Sequence, residues 1–156
     1  STTNTNISHF VIDEERNRAY ASDEDLGLVR IIDLKTMQEL PAITVGKQAY
    51  DLALHPDNNT LWVTANDSTP NIKIIDLDNL IVKNSIALPE PGYEIDIGNH
   101  YAYVSASQSY NGIMRIDLET HTYINSFNSG LFTYYKAIKS LLSRLKCHNN
   151  ILFFII

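Results

Sequence analysis

One short segment constrains the architecture more than any other feature of this chain. Leu28-Val29-Arg30-Ile31-Ile32-Asp33-Leu34 returns as Asn71-Ile72-Lys73-Ile74-Ile75-Asp76-Leu77 and again as Ile113-Met114-Arg115-Ile116-Asp117-Leu118, so the Asp-Leu pair steps by 43 and then 41 residues. The segments ahead of it repeat in phase: Ala19-Tyr20-Ala21-Ser22, Leu61-Trp62-Val63-Thr64-Ala65 and Ala102-Tyr103-Val104-Ser105-Ala106, with the central aromatic stepping by 42 and 41. A fixed period of this size is the signature of stacked or radially arranged supersecondary units.

Each period divides into four short apolar runs separated by turn residues, which is the pattern of strands rather than helices. The runs fall at about 8–12, 18–22, 28–33 and 39–45, then 50–55, 60–65, 71–76 and 82–88, then 93–97, 101–106, 112–117 and 122–127. Asp13-Glu14-Glu15-Arg16-Asn17 and His55-Pro56-Asp57-Asn58-Asn59 link the first two runs with residues that tolerate turn or left-handed geometry. Asp33-Leu34-Lys35-Thr36, Asp76-Leu77-Asp78-Asn79 and Asp117-Leu118-Glu119-Thr120 close the third run onto the fourth, each Asp placed to accept backbone N–H groups two residues on. Four antiparallel strands per unit make a propeller blade, so the expected fold is all-β: about three four-stranded antiparallel blades of a β-propeller, an incomplete ring, with a possible short C-terminal helix. A β-solenoid is the alternative, but its repeats are usually shorter. The blades fall at about 7–46, 47–89 and 90–128, within a domain spanning 1–130.

Val63-Thr64-Ala65-Asn66 followed by Ile74-Ile75-Asp76-Leu77, with Gly46 or Pro91-Gly92 ahead of the next first strand, resembles the YVTN-type repeat of seven-bladed propellers. The resemblance covers about residues 7–127 and is specific to the repeat, not to an activity. Ala21-Ser22 and Ser105-Ala106 depart from its Thr-Asn end, and Gly98-Asn99-His100 shortens the third blade's first turn. It implies an extracytoplasmic location: secreted, periplasmic or at the cell surface. Ser1-Thr2-Thr3-Asn4-Thr5-Asn6 carries no apolar stretch, so a signal peptide is expected to have been removed or never present.

Three blades are fewer than the four to eight that usually close a ring, leaving two blade faces to be covered. The expectations are three: missing blades of a longer propeller, a second chain completing a six-bladed homo-oligomeric ring, or a terminal cap. Charge marks where the body ends. Residues 1–130 hold all 18 acids and eight of the twelve basic residues, giving −10, whereas 131–156 hold Lys136, Lys139, Arg144 and Lys146 with no Asp, Glu, Gly or Pro. Leu131, Tyr134, Tyr135, Ile138, Leu141, Leu142 and Leu145 fall at helical spacing with a basic face. This basic apolar tail reads as a capping helix, as a membrane-surface helix continuing into Ile151-Leu152-Phe153-Phe154-Ile155-Ile156, or as non-native sequence of the kind out-of-frame translation produces. Its apolar end is far short of the roughly 20 residues a transmembrane helix needs, so no transmembrane segment is expected.

Composition narrows the function classes. A net charge of −6 argues against a nucleic-acid partner, which would need a basic face to release counterions. The lone Cys147 excludes an internal disulfide framework and a multi-cysteine zinc site. No Gly-x-Ser-x-Gly, phosphate-binding Gly-rich loop or His-Glu-x-x-His occurs.

Aligning the first strands puts His9, Asp51 and Glu94 at one repeat position, a set able to bind a divalent metal or act as acid and base, or simply to line a polar channel. Tyr50 and Tyr93 share the preceding position, as blade-packing rings or as groups that stack on a ligand. Asp23-Glu24-Asp25 offers hard oxygen ligands to a cation but lacks the spaced acidic loop with a distal Glu, and otherwise reads as a solvated loop. Asn66-Asp67-Ser68-Thr69 and Ser107-Gln108-Ser109-Tyr110-Asn111 are the equivalent loops of the other blades. Trp62, Tyr20 and Tyr103 read as core; His55, His100 and His121 read as exposed turn residues. The favoured reading is a non-catalytic binding or scaffold module that engages a protein or small-molecule ligand on its loop face, with no cofactor predicted. The alternative is a fragment of a propeller enzyme, because metal-assisted lactonases and quinone-dependent dehydrogenases resemble this repeat class; fold analogy alone does not choose between them.

Overall fold

The computed structural model describes residues 6–106 and 112–127; residues 128–156 with the basic tail, the loop 107–111 and the first five residues lie outside the described residues, and with them the possible C-terminal helix. Twelve strands follow one another: β1 (Ile7–Asp13), β2 (Arg18–Asp23), β3 (Leu28–Asp33), β4 (Gln38–Thr44), β5 (Gln48–Leu54), β6 (Thr60–Asn66), β7 (Pro70–Asp76), β8 (Ile81–Ala87), β9 (Gly92–Ile97), β10 (Tyr101–Ala106), β11 (Ile113–Asp117) and β12 (Thr122–Phe127). They form three four-stranded antiparallel meanders, β1 to β4, β5 to β8 and β9 to β12, called blades 1, 2 and 3 below. Every expected strand is present, with ends shifted by at most two residues.

The hairpins closing β3 onto β4, β7 onto β8 and β11 onto β12 are built alike. One oxygen of Asp33 accepts the amides of Lys35 at 2.8 Å and Thr36 at 2.9 Å; Asp76 does the same for Asp78 and Asn79, and Asp117 for Glu119 and Thr120. These bonds hold all three carboxyls below their ordinary value, the amide of the residue three positions on contributing most. The fifth residue of each turn, Met37, Leu80 or His121, is left-handed with φ of 54° to 56°. Asn17 and Asn58 take the same conformation in the β1–β2 and β5–β6 turns.

Strand alternation sorts side chains onto the two faces of each blade, and both blade junctions are filled by buried apolar side chains. Tyr20, Val29 and Ile31 of blade 1 pack against Leu52, Leu61, Val63 and Ile75 of blade 2. Trp62, Ile72 and Ile74 on the other face of blade 2 pack against Ile95, Ala102, Val104 and Ile116 of blade 3. Trp62 and Tyr20 are core, as expected, while the equivalent Tyr103 is only half-buried because no described strand follows blade 3. His55 and His121 are not exposed turn residues. They flank the Trp62 indole, one stacked at 5.9 Å between centroids and the other edge-on at 5.4 Å, and only His100 is exposed.

Candidate functional site

A bulge interrupts the ladder near the start of every first strand: between Ile7 and Phe10 in β1, between Ala49 and Leu52 in β5, and beside Gly92 in β9. The pairs left outside the regular pairing are Ser8-His9, Tyr50-Asp51 and Tyr93-Glu94, which include five of the residues singled out from sequence. A bulge turns side chains that would otherwise alternate strictly, and so brings these pairs to one end of the blades.

A hydroxyl on the neighbouring second strand repairs each interruption. Ser22 Oγ accepts the His9 amide at 3.2 Å, Thr64 Oγ1 accepts the Asp51 amide at 3.0 Å, and Ser105 Oγ accepts the Glu94 amide at 3.0 Å. The same hydroxyls reach across the blade junctions: Ser22 donates to the carbonyl of Tyr50 in blade 2, and Thr64 to the carbonyl of Tyr93 in blade 3 at 2.7 Å. Residue type alone does not single out these three hydroxyls, although their spacing of 42 and 41 marks them as part of the repeat.

Asp51 is the centre of the arrangement. Its side chain is 14% exposed; one oxygen accepts the Leu52 amide at 2.8 Å, the other accepts the Ile95 amide of blade 3 at 3.0 Å, and His9 Nδ1 lies 3.8 Å away. Burial pushes its carboxyl above the ordinary value, ahead of the opposing pull of His9 and the two amides, and the Glu94 charge pushes the same way. His9 Nδ1 also sits 3.3 Å from the Tyr50 carbonyl, and its side chain is 34% exposed. The Tyr50 and Tyr93 rings meet at 4.7 Å with a 56° tilt, and Tyr50 donates its hydroxyl to Gln48. Burial, then the neighbouring Tyr93, raises the Tyr50 phenol. The structure therefore gathers His9, Tyr50, Asp51, Tyr93 and Glu94, with Asp51 and Glu94 sunk into the blades rather than lining an open channel.

The acidic loop is separate in its chemistry. Asp23 is fully buried and takes Arg30 Nε at 2.9 Å, while Glu24 accepts a hydrogen bond from Ser8 Oγ at 3.0 Å. The same cation position in blade 2, Lys73, pairs with Asp67 at 3.1 Å. Among the described residues, no three His, Cys, Asp or Glu side chains stand close enough together to hold a metal ion, and no helix is long and apolar enough to cross a membrane. At the opposite end of the blades, a cleft of about 340 Å³ opens between blades 2 and 3, lined by His55, His100, Tyr101, Asp117 and Glu119.

Solved structures match this arrangement, and those below share the fold. Hydrazine synthase from Kuenenia stuttgartiensis superposes with a TM-score of 0.71 at 20% identity, covering 83% of this chain and 38% of that one. The dihydro-heme d1 dehydrogenase NirN in complex with DHE gives 0.64 at 16% identity, over 80% of this chain and 28% of that one. The β-propeller domain of Cps50 (Swd1) from Myceliophteria thermophila gives 0.62 at 14% identity, over 78% and 38%. The three blades are thus part of a β-propeller fold, and the chain spans less than half the length of each of these structures. No protein-family model and no curated protein matches the sequence.

Proposed function

We propose that the chain is a non-catalytic binding or scaffold module, part of a YVTN-type propeller working outside the cytoplasm, whose bulged first-strand end engages a protein or small ligand. The observation that carries this reading is the row of three equivalent bulges bearing His9, Tyr50 and Tyr93, with the acids Asp51 and Glu94 directly behind them. Aromatic faces backed by carboxylates favour cationic groups, and the −10 body adds a long-range attraction of the same sign. The preferred ligand is an amine or a Lys- or Arg-bearing segment.

Asp51 supports binding over catalysis. Both of its oxygens already accept backbone amides, one from the next blade, so it serves as a strut before it serves as a base. Titrating the protein with a short Arg-rich peptide while following amide and ring NMR signals tests the reading. Shifts concentrated on His9, Tyr50 and Tyr93, and lost in Tyr93→Ala, are expected. Shifts scattered over the surface, or none at millimolar peptide, overturn it.

The proximity of His9 to Asp51 favours one second reading: a fragment of a propeller enzyme in which these two residues share a divalent metal with groups from further blades. Metal analysis of protein washed with chelator and reloaded with zinc or manganese separates the two. Retention of one equivalent that is lost in His9→Asn supports the second reading; retention of none removes it.

A further inference from the structure

We propose that this chain associates head to tail with a second copy of itself, the first face of blade 1 in one copy seating on the last face of blade 3 in the other. The junction would continue the interface already made twice within the chain.

The first support is the hydroxyl relay. Ser22 and Thr64 each bridge to the next blade, to the carbonyls of Tyr50 and Tyr93. Ser105 occupies the same register, is buried, and accepts the Glu94 amide, but no described carbonyl takes its proton. A buried hydroxyl with an unspent donor is costly, and the register specifies its acceptor: the carbonyl just ahead of the bulged residue on a first strand. The residue at that position in blade 1 is Ser8, which precedes His9 as Tyr50 precedes Asp51 and Tyr93 precedes Glu94.

Blade 1 presents the complementary apolar surface. Phe10 is 66% exposed and Ile12 50% exposed, opposite Ala21 and Ala19. The equivalent residues in blade 2 are Leu52 and Leu54, opposite Val63 and Leu61, and they pack against blade 1; in blade 3 they are Ile95 and Ile97, which pack against blade 2. Every described blade with a predecessor buries this row, and blade 1 carries it uncovered.

The shapes of the two faces are compatible as well. The row that faces the following blade is Tyr20 beside Ile31 in blade 1 and Trp62 beside Ile74 in blade 2. In blade 3 it is Tyr103 beside Arg115, a pair of similar bulk that carries a charge, and Arg115 lies over the Tyr101 ring at 4.9 Å with its buried Nε unpartnered. The first face of blade 1 has Ala19 and Ala21 where blade 2 has Leu61 and Val63, leaving room for the Tyr103–Arg115 pair. Phe10 supplies a second aromatic face for the guanidinium.

A head-to-tail junction has a distinctive test, because its two surfaces differ. Sedimentation velocity over a range of concentrations is expected to show self-association of the full chain. Phe10→Lys sets a like charge against the partner's Arg115 and Arg115→Glu sets an anion against the partner's Phe10 ring face, and each alone is expected to weaken association at least about tenfold. An equimolar mixture of the two variants retains one intact junction and is expected to regain a dimer. Circular dichroism checks that both variants fold, and Ile12→Lys with Ser105→Ala stands in if either does not. A monomer at every concentration overturns the proposal, as happens if residues 128–156 or another protein cover these faces. Association that survives both substitutions, or a mixture that stays monomeric, overturns it equally.

Discussion

Thr64 shows how much one atom does here. Its Oγ1 closes the bulge in its own blade by accepting the Asp51 amide and ties that blade to the next by donating to the Tyr93 carbonyl. Thr64→Val keeps the branched shape and removes the hydroxyl that serves the Asp51 amide and the Tyr93 carbonyl, at a cost of about 1–3 kcal/mol. Urea unfolding of Thr64→Val beside Thr64→Ser measures this, and a loss of only a few tenths for Val contradicts the role. The residue type alone did not flag Thr64, since a threonine in a strand is ordinary. Its importance comes from a bulge that local pattern does not encode. Met37 and Leu80 were illegible for a related reason: at φ of 55° and 56° they occupy a region that suits glycine and asparagine, and the repeated hairpin imposes it on them.

The hairpin is the element whose chemistry the sequence does disclose. Asp33, Asp76 and Asp117 were assigned as turn acceptors from position alone, and each accepts two amides. Because these bonds lower the folded-state values, the carboxylates contribute stability that is complete above the unfolded value near 3.9 and is lost as pH falls through the folded values. Asp51 has the opposite sign. Its raised value means that the fold takes up a proton there as pH falls, and that step favours the folded state. Replacing the three turn aspartates together by Asn removes the titration while keeping an acceptor. The fall in stability between about pH 5 and pH 2 should become shallower, as read from urea midpoints at each pH. An unchanged acid limb would show that the turns are not its source.

Across the described residues, the two cores meet only through blade 2, which buries Leu61 and Val63 on one face and Trp62 on the other. Cohesion is therefore nearest-neighbour, as in other repeat proteins. Trp62→Ala empties the second junction at a cost of about 3–5 kcal/mol, and hydrogen exchange should rise first in β9 to β12 while β1 to β4 keep their protection. Simultaneous loss everywhere would mean that the three blades unfold as one unit. The period, the alternation and the turn residues determined the blades by themselves, because pairing within a meander is local in the chain and each strand carries its own signal. The gathering of His9, Asp51 and Glu94 was legible only as equivalence between repeats. That Asp51 caps the Ile95 amide, that His55 and His121 enclose Trp62, and that Ser22 and Thr64 bridge the blades were decided by tertiary structure alone. Apart from the seven-residue step from His55 to Trp62, those contacts join residues 28 to 59 positions apart, and blade packing rather than any local pattern sets their distances.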